Sequence, residues 1–178
     1  MLVLSRVVHW LAAHEQRMFF WVNRRIQHAV LDMLFSVVTH LGGATMTIIW
    51  ALSVSLFASG NLQTAGIQSC IALALSHLPV ALIKKKYPRM RPYLVFPEAN
   101  ICKNPLTDHS FPSGHTTAIF SIVIPFACMY AWLAPELLVL AAAVGMSRIY
   151  LGLHYPSDCL VGSMIGSAAG FGAVAFFH

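Results

Sequence analysis

Residues 41–60, LGGATMTIIWALSVSLFASG, and residues 64–83, TAGIQSCIALALSHLPVALI, each run through without a Lys, Arg, Asp or Glu. A bilayer core takes about 20 mostly apolar residues per helix, so both stretches read as membrane spans. Ser59-Gly60-Asn61 carries the turn signal of a tight connection, which makes the pair a helical hairpin. Working outward, residues 116–134 are again free of formal charge. Pro125 within them is tolerable, because neighbouring helices re-satisfy the carbonyl it frees. Pro135-Glu136 marks a turn, residues 136–153 are apolar except near their ends, where Arg148 lies, and residues 160–177 form a last span. In that span Gly162, Gly166 and Gly170 recur every fourth residue, which lets a neighbouring backbone come close. The expected fold is all-α, a polytopic membrane helix bundle of five transmembrane helices. Residues 26–40 offer a sixth, short span, although His28 and Asp32 argue for partial burial at a surface.

Composition supports this reading. Of 178 residues, 58% are hydrophobic and 10% charged, against about 45–50% and 25% in soluble domains. A water-soluble globule of this size lacks the charge to coat its surface, and a disordered chain or disulfide mini-protein is excluded as well. The first forty residues differ: Trp10, Phe19, Phe20 and Trp21 alternate with His14, Glu15, Arg17, Arg24 and Arg25, a mixture suited to an interfacial amphipathic helix. No uninterrupted apolar run precedes a small-residue cleavage site, so a cleaved signal peptide is not expected. The expected organisation is a single domain over residues 1–178, with 1–40 the interfacial segment and 41–178 the bundle.

The net charge of +5 is bunched: Arg6, Arg17, Arg24 and Arg25, then Lys84, Lys85, Lys86, Arg89, Arg91 and Lys103, and after these Arg148 alone. Bunching suits an anionic partner met at one membrane edge better than a nucleic acid, which is not expected as a partner. Cys70, Cys102, Cys128 and Cys159 form no C-x-x-C pair, and three of them read as small hydrophobes. With five spans the chain alternates sides, so residues 84–111 and 150–157 emerge on one face, where most polar residues after position 80 converge.

Three clusters lie on that face. Ser147-Arg148 is followed by His154 and Asp158; taken alone, these are a snorkelling Arg and a helix-start Asp beside Pro156. Pro112-Ser113-Gly114-His115 directly precedes an apolar helix, where free amides offer an anion site, although Ser113 alone is more often a cap. Lys84 is followed after six residues by Arg91-Pro92. For Lys85, Lys86, Arg89 and Lys103 a patch binding anionic headgroups is the better reading. Together the clusters supply guanidiniums that fork onto phosphate oxygens, a Lys, a Ser, helix-start amides, two imidazoles and an Asp able to orient one of them. That inventory suits phosphoryl transfer. A two-metal phosphatase needs clustered carboxylates, whereas only Glu98, Asp108 and Asp158 lie near this face; neither a metal nor another cofactor is expected.

These residues resemble the type 2 phosphatidic acid phosphatase superfamily of integral membrane lipid phosphatases, whose motifs are K-x6-R-P, P-S-G-H and S-R-x5-H-x3-D. Lys84, Arg91 and Pro92 fill the first, Pro112 to His115 the second, and Ser147, Arg148, His154 and Asp158 the third. The resemblance implies His154 as the nucleophile that becomes a phosphohistidine, Asp158 as its orienting partner and His115 as the general acid. It implies Lys84, Arg91, Ser113, Gly114 and Arg148 as the phosphate cradle. The implied substrate is a membrane lipid phosphate: undecaprenyl pyrophosphate first, then phosphatidylglycerophosphate, phosphatidate or a lipid A phosphate. The implied setting is the inner membrane with the site on the extracytoplasmic face, although the basic residues on that face would by the positive-inside tendency vote for the cytoplasm. Two rivals are weaker. A transporter using Arg148, His154, Asp158 and His77 as a relay should hold them at the midplane, whereas all but His77 map to span ends, and His77 reads as a packing residue. A vanadate-dependent halide-oxidising enzyme is disfavoured by the spans.

Overall fold

The computed structural model describes residues 2–101 and 107–177; Cys102 and Lys103 lie outside the described residues. The chain forms α1 (Leu2–Phe20), a wide turn over Trp21–Arg25, α2 (Ala29–Val38) with a tight turn over Thr39–Gly42, and α3 (Ala44–Phe57). It continues through α4 (Gly60–Lys86), the single turn α5 (Pro92–Val95), α6 (Gly114–Met129), α7 (Ala134–Tyr150) and α8 (Pro156–Phe176). Prolines open α7 and α8 in their first turns, where a missing N–H costs nothing. Lys84, Lys85 and Lys86 close α4, where positive charge complements the helix dipole.

By length and apolarity, three helices of the described residues can cross a membrane: Gly60–Lys86, Ala131–Tyr150 and Pro156–Phe176. A fourth crossing is available if Ala29–Gly42 and Ala44–Phe57, bent by 55°, act as one broken span. The expected spans at 41–60 and 116–134 are therefore shorter than composition suggested. Gly42-Gly43 interrupts the first, Gly43 being extended at φ −68°, ψ 146°. The break has a packing reason: a Cβ on Gly42 would sit 2.6 Å from Val144 and 2.7 Å from the His115 carbonyl oxygen. α6, 16 residues long, begins at Gly114 in the polar site.

α6 is the hub, packing on α3, α4, α7 and α8. Lipid tails are as apolar as leucine, so such packing depends on close van der Waals fit. At Gly166 a Cβ would lie 2.3 Å from the Thr117 carbonyl oxygen and 2.8 Å from Phe120 Cβ; at Gly170 it would lie 2.6 Å from Ile124 Cβ. Replacing Gly166 by Leu should therefore part α6 from α8 and cost at least about 1–3 kcal/mol, read as a fall in thermal midpoint in detergent. Gly172→Leu, where a Cβ meets nothing within 4 Å, should change little; equal midpoints for the two variants would show that the helices do not approach this closely.

α1 buries Phe19 fully, against Phe20, Phe96 and Tyr155, while Trp10, Leu11 and Met18 stay exposed. The segment after it is tied down by an amide pair. Asn23 Nδ2 donates to the Tyr150 carbonyl (2.8 Å) and the Asn100 carbonyl (3.0 Å), and the Asn100 N–H donates back to Asn23 Oδ1 (2.8 Å).

Candidate active site

The spacing of the third motif is a helix stop, a left-handed turn and a helix start. Arg148 lies in the last turn of α7. The Leu151 N–H bonds to the Ser147 carbonyl (2.9 Å), and the Leu153 and His154 N–H groups both return to the Arg148 carbonyl (3.0 and 3.2 Å). Gly152 makes the turn at φ +74°, and a Cβ there would lie 2.3 Å from the Asn100 carbonyl oxygen, so glycine is required at this position. Pro156 then opens α8, and Asp158 in its first turn accepts from the Tyr155 N–H at 2.9 Å. Asp158 is thus a helix-start acid and also a partner of His154.

His154 is 1% exposed. Its Nε2 lies 3.1 Å from Arg91 Nη1. A guanidinium can only donate, so Nε2 is the acceptor and the ring proton sits on Nδ1. Nδ1 faces Asp158 Oδ2 and Ser110 Oγ, each at 3.4 Å. Asp158, with no exposed surface, also accepts from the Ser110 hydroxyl through Oδ2 and from Arg89 Nη1 through Oδ1 at 2.7 Å. Burial, aided by the charges of Arg91 and Arg148 and opposed by Asp158, lowers the His154 pKa to about 4. The ring is therefore neutral at physiological pH, with its Nε2 lone pair turned to Arg91 in the groove lining.

Lys84, Arg91, Asp108, Gly114, His115 and His154 line one end of a groove of about 990 Å³. Its remaining walls are mostly apolar and come from α3, α4 and α6, among them Ile48, Leu52, Leu73 and Val80. Arg91, 1% exposed, donates through Nε to the Asp108 carbonyl (2.8 Å), through Nη1 to the Leu153 carbonyl (2.8 Å) and through Nη2 to Asp108 Oδ1 (2.6 Å). Lys84 Nζ donates to Asp108 Oδ2 (2.7 Å) and the His109 carbonyl (2.5 Å). Burial raises the Asp108 pKa, but Lys84 and Arg91 outweigh it and hold the carboxyl down at about 2.

The structure thus brings Lys84, Arg91, Gly114, His115 and His154 to one surface and buries three other expected residues outside its lining. Ser113, fully buried, caps α6: its Oγ lies 2.9 Å from Thr116 Oγ1 and accepts from the Thr116 N–H at 3.4 Å. Arg148 is 3% exposed and donates to Thr39 Oγ1 at 2.7 Å. Asp158 lies beneath His154. His77, expected as a packing residue, lines the groove instead.

Four residues of the network were not picked out from the sequence as site residues. Ser110 and Asp108 precede the second motif in a loop with no periodicity to mark them. Arg89, read as part of the headgroup patch, points inward to Asp158, to Ser157 Oγ (2.9 Å) and to Glu15 Oε2 (2.5 Å), with its guanidinium 3.7 Å from the Tyr155 ring centroid. Glu15 comes from α1.

Residues 65–178 match the profile of the PAP2 superfamily, more than half of the chain, and the chain belongs to that superfamily. YbjG of Escherichia coli is 38% identical over 104 residues, 56% of this chain and 50% of YbjG, so the match spans about half the length of that relative. The undecaprenyl-diphosphatase BcrC of Bacillus subtilis is 29% identical over 150 residues, 81% of this chain and 74% of BcrC. The crystal structure of Aquifex aeolicus LpxE superposes with a TM-score of 0.79 at 25% identity, covering 90% of this chain and 94% of that one. The apolar helices and these relatives together make the chain an integral membrane protein.

Proposed function

We propose that this chain is a lipid phosphatase that removes a phosphate from a membrane lipid through a phosphohistidine, with undecaprenyl pyrophosphate, converted to undecaprenyl phosphate, as its substrate. One observation carries the reading: a single groove joins two imidazoles and two cations at one end to apolar walls between helices along the rest. A phosphate on a lipid tail has that same division. The similarity to BcrC over most of both chains favours the polyprenyl diphosphate.

Arg91 and Lys84 hold the terminal phosphate oxygens as charge shifts onto them. The His154 Nε2 lone pair attacks phosphorus, and the bond to the leaving oxygen breaks. His115, on the same groove, gives that oxygen a proton and then takes one from the water that hydrolyses the phosphorus–nitrogen bond. Asp158 keeps the Nδ1 proton in place and supports the positive charge that His154 gains. Arg148, buried in the last turn of α7, adds its charge to the cradle, and the amides at Ser113 and Gly114 add the positive end of α6. The reaction as written needs no metal. Among the described residues no three His, Cys, Asp or Glu side chains group as a metal site would require. The site is assigned to the extracytoplasmic face of the inner membrane, because phosphate binding accounts for Lys84 and Arg91 without a topological role.

Purified protein in mixed micelles should release phosphate from undecaprenyl pyrophosphate with a chelator present, at a rate within about twofold of that without it. Phosphatidylglycerophosphate, phosphatidate and lipid A phosphate should turn over at least about tenfold more slowly in kcat/KM, a difference of about 1.4 kcal/mol. Faster cleavage of a glycerophospholipid than of any polyprenyl diphosphate overturns the substrate. Loss of activity on chelation, restored by a divalent ion, overturns the metal-free reaction.

A further inference from the structure

The Asp158 carboxylate is shared. Oδ2 receives the Ser110 hydroxyl, the Tyr155 N–H at 2.9 Å and His154 Nδ1 at 3.4 Å, and Oδ1 receives Arg89 at 2.7 Å. Arg89 is itself gripped from the far side by Glu15, whose Oε1 also accepts from the Ser157 N–H at 3.2 Å and from the Ser157 hydroxyl. This chain of charges is largely withdrawn from water, with exposures of 18% for the Glu15 side chain, 32% for Arg89 and none for Asp158. Charge pairs withdrawn from water interact more strongly than surface pairs. Glu15 lies before the residues matched by the family profile, and Arg89 fills one of the unspecified positions between Lys84 and Arg91 of the first motif.

We infer that Arg89 and Glu15 are positioning residues for the reaction: Arg89 anchors Asp158 and draws off part of its negative charge, Glu15 tempers Arg89, and the balance sets how basic His154 is. This rests on His154 being the nucleophile. Neither residue lines the groove, so they act through Asp158. The other charged or titratable groups around His154 are Arg91 before α5, Arg148 on α7 and His115 on α6, with Lys84 and Asp108 at the groove end. Each of these is left intact in the variants below, so a change in the ring's proton affinity reports the Glu15–Arg89 arm.

The two charges have opposite sign, so their removal should move His154 in opposite directions. Arg89→Ala leaves Asp158 with its whole charge and favours the imidazolium, so the acid limb of kcat/KM should rise by about one pH unit. kcat should fall by about ten- to a hundredfold, with KM within about threefold. Arg89→Lys keeps the charge and should hold the limb near its original position. Glu15→Gln frees the Arg89 charge to act on Asp158, so the limb should move down, and the same substitution in the Arg89→Ala background should add nothing.

Limb positions are read only on preparations whose active fraction is known from phosphoenzyme trapping and whose thermal midpoint shows a folded protein; Glu15→Gln and Arg89→Lys remain usable if Arg89→Ala does not fold. Limbs that coincide in all folded variants, or that move the same way for Glu15 and Arg89, overturn the inference. A His154→Ala control keeps the two readings apart: turnover in that control overturns the nucleophile, whereas its inactivity beside unmoved limbs overturns only the positioning pair.

Discussion

Replacing His154 by Ala should lower turnover of the lipid substrate by about ten-thousandfold or more, the scale on which loss of a nucleophile is felt. The protein should remain folded, because the turn carrying His154 is held by backbone bonds to Arg148 and by Gly152, not by the ring. Acid-labile, base-stable phosphate should be trapped on the unmodified protein by rapid quenching with labelled substrate and be absent from the variant. The pH dependence follows from the same ring. An imidazole attacks only when neutral, so activity rises with pH through the His154 pKa. Burial, with Arg91 and Arg148, puts that value at about 4 against the opposing Asp158. The acid limb of kcat/KM should therefore lie well below the ordinary histidine value of about 6.5. Full activity of a folded His154→Ala protein ends the phosphohistidine mechanism.

His115→Ala should have the next largest effect, about a hundred- to ten-thousandfold on the lipid, and its character is more telling than its size. A general acid matters most where the leaving oxygen is strongly basic. With p-nitrophenyl phosphate, whose leaving group departs without a proton, the variant should still form the phosphoenzyme and give a burst of nitrophenol close to one per active site. Steady turnover should then be slow, because water has lost its base. Equal losses on both substrates, with no burst, would remove His115 from acid–base duty and leave it a binding role. Lys85→Ala, at an exposed position outside the groove, serves as the control and should change neither rate by more than about twofold.

What could be read from the chain and what could not divide along sequence distance. The third motif is local: Arg148, Gly152, His154, Pro156 and Asp158 fix one another through helix-end chemistry within a dozen residues. The small-residue face of α8 was legible as well, because a four-residue repeat of glycine has a packing consequence whatever its partner. Arg89 was misread because its partners Asp158 and Glu15 lie 69 and 74 residues away. Two lysines beside it, which do face outward, lent it their meaning. Ser110 and Asp108 sit in a loop where no periodicity announces direction. The break at Gly42-Gly43 was hidden by composition: an apolar run reads as one span, and only the approach of Val144 and His115 to Gly42 shows why the helix stops there.

Asp108 gives the cradle a character of its own. With a pKa near 2 its carboxylate is ionised throughout any physiological range, and it already occupies Lys84 and Arg91. Substrate capture under the proposed reaction is then a trade of one anion for another, in which the cations change partners instead of gaining one. Such a swap adds little ground-state affinity, and the same carboxylate, swinging back, competes with inorganic phosphate for its place, a turnstile suited to clearing product quickly more than to gripping the lipid tightly.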